Sequence, residues 1–254
     1  MGRHSIQVVS IKIIDYTETM TTLTSDQIRE LNSYSIYLNP PAHPVFTLAD
    51  VLDPSKVQSI VQVIQTVSQS PNEVVATSFF VRRLGMFFAM QLYNLAAYDE
   101  MWNGSAEDLQ FGALEEFGNK TISTFADSSD WEMIDDEDRQ SHIRQILDDA
   151  HAVIASLRTA VSVSPLTLWE NIFGFWLWQY HVLLSDPGSE MEAREDLDIL
   201  KDDTTWTGIA DHSRFASYLN GSEPSALLNT TVRKTCCFSK DVPGLMRCGF
   251  CPLP

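Results

Sequence analysis

The sequence predicts a mainly α fold: a helical body, a small N-terminal β element and an irregular C-terminal tail. Three observations predict it. Apolar residues recur at helical spacing over long stretches, notably 54–68, 72–98, 138–161 and 165–184. Strand signals are few, chiefly 5–16 and 120–125. All four cysteines of the 254-residue chain fall in its last nineteen positions, in a stretch without periodicity.

Taken in order, residues 5–16 alternate and then run apolar, as a strand does. Thr24-Ser25-Asp26 supplies N-cap side chains for a short helix through Leu31. Asn39-Pro40-Pro41-Ala42-His43-Pro44 breaks the chain and divides an N-terminal extension, 1–45, from the main body. Residues 47–52 read as one helical turn. Asp53 is then expected to cap a helix with Pro54 at its first position, running to about Ser68. Val57, Ile60, Val61, Ile64 and Val67 share one face of it.

Residues 72–98 predict a long, central helix. Gly85 inside it costs about 1 kcal/mol relative to alanine, which points to a close helix–helix approach. Residues 126–137 are turn-rich and acidic, and the stretch between Gly104 and that segment is ambiguous apart from the strand signal at 120–125. The 138–161 helix carries Ile143, Ile146, Leu147, Ala150, Val153, Ile154 and Leu157 on one face. The 165–184 helix opens with Pro165 and is apolar nearly all round, so it should be buried. A polar helix over 190–201 and a short one over 212–219 precede the irregular tail. The organisation is therefore an extension, 1–45, a helical body, 46–222, and a cysteine-bearing segment, 223–254.

With 44% apolar residues and six tryptophans, the chain can bury a sizeable core. A net charge of −17 argues against nucleic-acid binding and against adhesion of the whole surface to anionic lipid. The charge is uneven. Residues 231–254 carry +3, from Arg233, Lys234, Lys240 and Arg247 against Asp241. Such an island either attracts an anionic partner or offsets negative charge on thiolates. No export signal is read at the N-terminus, so the thiols are expected to stay reduced. No apolar stretch reads as a spanning helix.

The cysteine pattern is Cys236-Cys237, ten residues, Cys248-Gly-Phe-Cys251, then Pro-Leu-Pro. Cys248-x-x-Cys251 is a chelate spacing, with Gly249 available for a positive φ. Adjacent cysteines converge poorly on one ion and are easier to place on a two-iron cluster. A structural zinc site and disulfides are the alternatives. No histidine pair has a metal-ligand spacing, and no glycine-rich phosphate loop occurs, so no Rossmann-type nicotinamide or flavin site is expected.

Cys-Cys-x10-Cys-x2-Cys-Pro-Leu resembles the ending of FhuF-type siderophore-iron reductases. Two upstream stretches also resemble that family: Phe79-Phe-Val-Arg-Arg-Leu-Gly-Met-Phe-Phe88 and Ser164-Pro-Leu-Thr-Leu-Trp-Glu-Asn171. The resemblance runs from about residue 50 to the end. It implies a [2Fe–2S] cluster ligated by Cys236, Cys237, Cys248 and Cys251, and one-electron reduction of Fe(III) held by a hydroxamate or citrate-type siderophore. One-electron transfer suits the substrate, because oxygen ligands hold Fe(III) far more tightly than Fe(II), so no acid, base or nucleophile need be found. It implies further an external electron donor such as a ferredoxin or a flavin reductase, a cytoplasmic location, and peripheral contact with a siderophore importer at the inner face of the membrane. Arg233 and Lys234 are the first candidates for contacting an anionic chelate, Arg82 and Arg83 the second. For Arg82 and Arg83 the plainer reading is a solvated or salt-bridged cation. For Trp169 and Asn171 it is helix core and a buried amide hydrogen bond. The rival function is a non-catalytic ferric-chelate escort whose metal site only holds the tail.

Overall fold

The computed structural model describes residues 23–41, 43–116, 119–135 and 138–253. The strand expected at 5–16 lies outside the described residues. The fold is mainly α, as expected, and is built around one pair of helices.

Helix α1 (Ser25–Ser33) is capped by Thr24, whose hydroxyl receives the Gln27 N–H while the Gln27 side chain accepts the Thr24 N–H. It leads into a two-residue strand β1 (Ile36–Tyr37). Strand β2 (Phe46–Thr47) runs into α2 (Leu48–Leu52), capped reciprocally by Thr47 and Asp50. Helix α3 (Val57–Ser68) starts later than the sequence suggests. Asp53 is not its N-cap. Its carboxylate accepts the Ser55 N–H at 2.8 Å and the Ser55 hydroxyl at 2.7 Å, and its carbonyl accepts the Val57 N–H at 3.1 Å, so 54–56 form a turn that Asp53 caps and that leads into the helix.

Helix α4 (Glu73–Tyr98) is the long central helix, capped by Asn72. Beyond it come β3 (Glu100–Trp102), β4 (Gln110–Glu116), β5 (Asn119–Phe125) and β6 (Trp131–Met133). β4 is the strand that the sequence leaves ambiguous. It pairs antiparallel with β5 from Gln110↔Phe125 to Glu116↔Asn119. β1 joins β5 in parallel and β2 joins β4, giving the sheet order β1-β5-β4-β2. Residues 25–37, from the N-terminal side of position 45, thus pack into the same core as the body. β3 and β6 form a separate antiparallel pair.

Helix α5 (Arg139–Ala160) buries all seven residues of its expected apolar face. Helix α6 (Pro165–Leu183) is buried on most sides and packs along α4. Gly85 sets that approach: a Cβ there would lie 3.0 Å from the Ile172 Cα, so only glycine lets the two backbones come this close. Helices α7 (Glu190–Lys201), α8 (Arg214–Leu219) and the single turn α9 (Pro224–Leu227) complete the body. Phe173 of α6 and Phe215 of α8 pack with ring centroids 5.3 Å apart, within an aromatic cluster that includes Trp176 and Trp206. The chain then runs as an irregular strap back over α4 and α6.

Candidate functional site

The strap is fixed by charge buried in α6. Glu170 is 1% exposed, an isolated acid on an otherwise apolar stretch. Its two carboxylate oxygens accept the backbone N–H groups of Lys234 at 2.8 Å and Thr235 at 2.9 Å. The Thr235 hydroxyl bonds to it as well. Arg233, itself 5% exposed, balances this charge, with its Nε 3.8 Å from the carboxylate. The guanidinium spends its N–H donors on the protein: Thr235 and Glu170 carbonyls at 3.1 and 2.8 Å, and the Asn171 side-chain oxygen at 2.8 Å. Buried charges of this kind persist only when paired and hydrogen-bonded.

The same network continues to the cysteines. Asn171 donates to the Ser78 hydroxyl and carbonyl, both at 2.9 Å, and the Ser78 hydroxyl donates to the Cys237 carbonyl at 2.8 Å. Arg233, Asn171, Ser78 and Cys237 therefore form one chain of contacts across α6, α4 and the strap. The sequence-level reading of Asn171 as a buried amide and of Trp169 as core fits this placement. Trp169 is 1% exposed and its ring stacks on Phe173.

Around the thiols, backbone amides act on sulfur. The Phe238 amide donates to Cys236 Sγ at 3.3 Å. The Ser239 amide favours the thiolate of Cys237, and the Phe250 amide that of Cys248. Phe238 adopts a left-handed conformation, φ +57°, which turns these successive amides toward the adjacent cysteines. Gly249, expected to supply a positive φ, does not. The Cys248–Cys251 turn closes by a Cys251 N–H to Cys248 carbonyl bond of 3.3 Å, and the left-handed glycine of this segment is Gly244.

Cys237 and Cys248 lie within hydrogen-bond reach of each other. Sharing one proton pushes the Cys237 thiol down to about 5 and the Cys248 thiol up. The Ser239 amide, Arg233 and Arg82 add to the lowering at Cys237, against its burial. Among the described residues no three His, Cys, Asp or Glu side chains converge closely enough to hold a single metal ion. Cys237 and Cys248 thus interact, and Cys236 and Cys251 adjoin them in sequence. Four cysteines on one strap are a donor set that suits a two-iron cluster, with two thiolates to each iron, and equally a four-thiolate zinc site.

The cationic candidates separate into distinct roles. Arg233 is buried and committed to the network above. Lys234 is exposed on the strap and lines a cleft of about 250 Å³ with His212 and Tyr218. Arg83 donates to the Ile122 carbonyl at 3.1 Å and pairs with Glu116 at 2.7 Å, so the salt-bridged reading holds for it. Glu116 also accepts from Ser35 and Ser123; burial raises its pKa, but these bonds and Arg83 more than offset that and hold it low. Arg82 differs. It donates to Ser239 Oγ, lies over the Phe175 ring at 6.0 Å and interacts electrostatically with Cys237 and Cys248.

Arg82 and Phe175 line two neighbouring clefts. One, of about 300 Å³, reaches Cys248 between Trp178, Tyr34 and Phe250. The other, of about 330 Å³, runs between α4, β5 and the 242–246 loop. Sequence reasoning named Arg82 but passed over Ser78 and Glu170. The signal for Glu170 was present, since a lone carboxylate in an all-round apolar helix needs a buried partner.

Compared with models of known families and with curated proteins, the chain matches none. Fold and site together define a mainly α-helical protein with a cysteine-bearing strap docked across its two central helices. Among the described residues no helix is long and apolar enough to cross a membrane.

Proposed function

We propose that this protein is a cytoplasmic ferric-siderophore reductase that holds a [2Fe–2S] cluster through Cys236, Cys237, Cys248 and Cys251. The observation that carries the reading is the convergence of three stretches. The 79–88 segment on α4, the 164–171 segment at the start of α6 and the cysteine strap are the parts that resemble FhuF-type reductases. The first reaches the strap through Arg82, which donates to Ser239, with Ser78 just before it bonding the Cys237 carbonyl; the second reaches it through Glu170 and Asn171, which bond Thr235 and Arg233. When bound, the cluster would supply one-electron chemistry.

The residues divide the remaining work. Glu170 and Arg233 hold the strap, and the amides of Phe238, Ser239 and Phe250 favour sulfur as thiolate. Arg82 places a positive charge between the thiols and the clefts. The ferric chelate would enter beside Cys248, where electron transfer is short. The balance is simple: one electron from an external reduced carrier, a ferredoxin or a flavin reductase, converts chelated Fe(III) to Fe(II), which its oxygen ligands release. No proton transfer or bond cleavage in the chelator is required.

The test is the visible spectrum of protein purified without oxygen, before and after dithionite, with iron and zinc quantified on the same sample. Bands that bleach on reduction, with about two irons per chain, are expected. Fe(II) should then appear in a ferrous-chelator assay once a donor and a ferric siderophore are added. A colourless protein with about one zinc per chain would overturn the proposal. A coloured protein that binds the chelate without producing Fe(II) would favour an escort role.

A further inference from the structure

The polar groups of the larger cleft do not cancel. Glu116 is its acidic side chain, and that charge is taken up by Arg83 at 2.7 Å. Lys120, on β5, is exposed; it stands across the ladder from Glu115 but makes no ion pair among the described residues. Arg82 has a hydroxyl and an aromatic ring as neighbours and its charge faces the Cys237 and Cys248 thiols, with no described carboxylate paired to it. Of the lining residues Arg82, Arg83 and Lys120 are cations and Glu116 is the acid, so Arg82 and Lys120 are in excess. Between them the wall is apolar: Phe79 and Met86 lie three residues before and four after Arg82 on α4, and Phe175 faces them from α6. Met246, 85% exposed, stands on the loop opposite.

A neutral ligand gains nothing from such a charge pattern, whereas an anion with an apolar surface gains from both parts. We propose that the two clefts joined at Arg82 and Phe175 form one binding site selective for net-anionic ferric chelates of the carboxylate type. The ligand's charged face meets Arg82 and Lys120, and its apolar surface meets Phe79, Met86 and Phe175. This rests on the reductase reading for the choice of a ferric chelate. The strap that carries the cysteines forms one wall of both clefts, through 242–246 and 248–250, so bound ligand and thiols share a boundary.

Gallium(III) chelates test the site without electron transfer, because gallium matches the charge of Fe(III) and resists reduction. Equilibrium dialysis of the full chain, as purified, would compare a gallium–citrate complex with an uncharged gallium trihydroxamate. The anionic complex is expected to bind at least about tenfold more tightly at 50 mM salt, with the preference shrinking several-fold by 300 mM. Lys120→Glu, an exposed substitution, should weaken the anionic complex by about tenfold and leave the neutral one unchanged. Equal affinities for the two complexes, or no effect of Lys120→Glu, would overturn the assignment. Charge-selective gallium binding in a protein that reduces no iron leaves the site standing and removes the reductase reading. Reduction of both iron chelates with no charge preference in gallium binding does the reverse.

Discussion

The carboxylate of Glu170 accepts the backbone N–H of Thr235 at 2.9 Å, so a side chain buried in α6 holds the residue just before the cysteine pair. The strap has little regular structure of its own. Its position depends on this charge, on Arg233 and on the Ser78 bond to Cys237.

Glu170→Ala should therefore free the strap. It leaves two backbone N–H groups unsatisfied and the Arg233 charge buried without its partner, at a cost of about 3–5 kcal/mol. Proteolysis is expected to cut within 228–247 first, with helical circular dichroism of the body retained. Unchanged protease resistance would show that the strap is anchored elsewhere.

Gly85→Val tests the helix crossing. Any Cβ at this position meets the Ile172 Cα at 3.0 Å, and valine adds two methyl groups. A loss of about 1–3 kcal/mol in denaturant unfolding is expected, despite the better helix propensity of the new residue. Stability equal to the wild type would mean that α4 and α6 separate readily.

Asp196 on α7 gives a pH signature. It is fully buried, and among the described residues neither carboxylate oxygen has a hydrogen bond. Burial pushes its pKa up to about 7, against the pull of Arg139, whose Nη1 lies 3.5 Å away. Burial likewise lifts Asp149 to about 6. A folded pKa above the unfolded value of about 3.9 means that the native state holds more protons between the two. Stability from these groups is full below about pH 4 and is lost as pH rises toward 7, by about 1.4 kcal/mol per pH unit and group at most. Asp196→Asn should flatten the fall in Tm between pH 5 and pH 8, since Arg139 keeps the Leu95 carbonyl and Asp99. Parallel Tm curves for the two proteins would refute the assignment.

Each of Cys236→Ser, Cys237→Ser, Cys248→Ser and Cys251→Ser is expected to abolish or shift the visible bands of the anaerobic protein, because a hard oxygen ligand replaces a thiolate. The spectrum of each variant, normalised to its iron content, is the measurement. Four unchanged spectra would remove the cluster.

Helices α4, α5 and α6 were legible because each carries enough periodic apolar residues to declare its length and its buried face. Gly85 was legible too, since a glycine at the centre of an apolar helix has few uses other than close packing. The start of α3 was not. Asp-Pro reads as a cap followed by a first helical residue; Asp53 does cap, through Ser55, but what it caps is a turn over 54–56, and the helix proper begins at Val57. Strand β4 was hidden because its partner β5 supplies the ladder, and sheet pairing is a tertiary decision.

The sequence by itself determined the mainly helical body, the burial of α6 and the confinement of all cysteines to one short segment. These follow from local periodicity and composition. Only the tertiary structure decided what holds that segment and what it faces. Glu170 lies 64 positions from Lys234, and Ser78 lies 159 from Cys237. No local pattern links residues so far apart; burial does, because a charge or amide taken out of water must find its partner wherever the fold provides one.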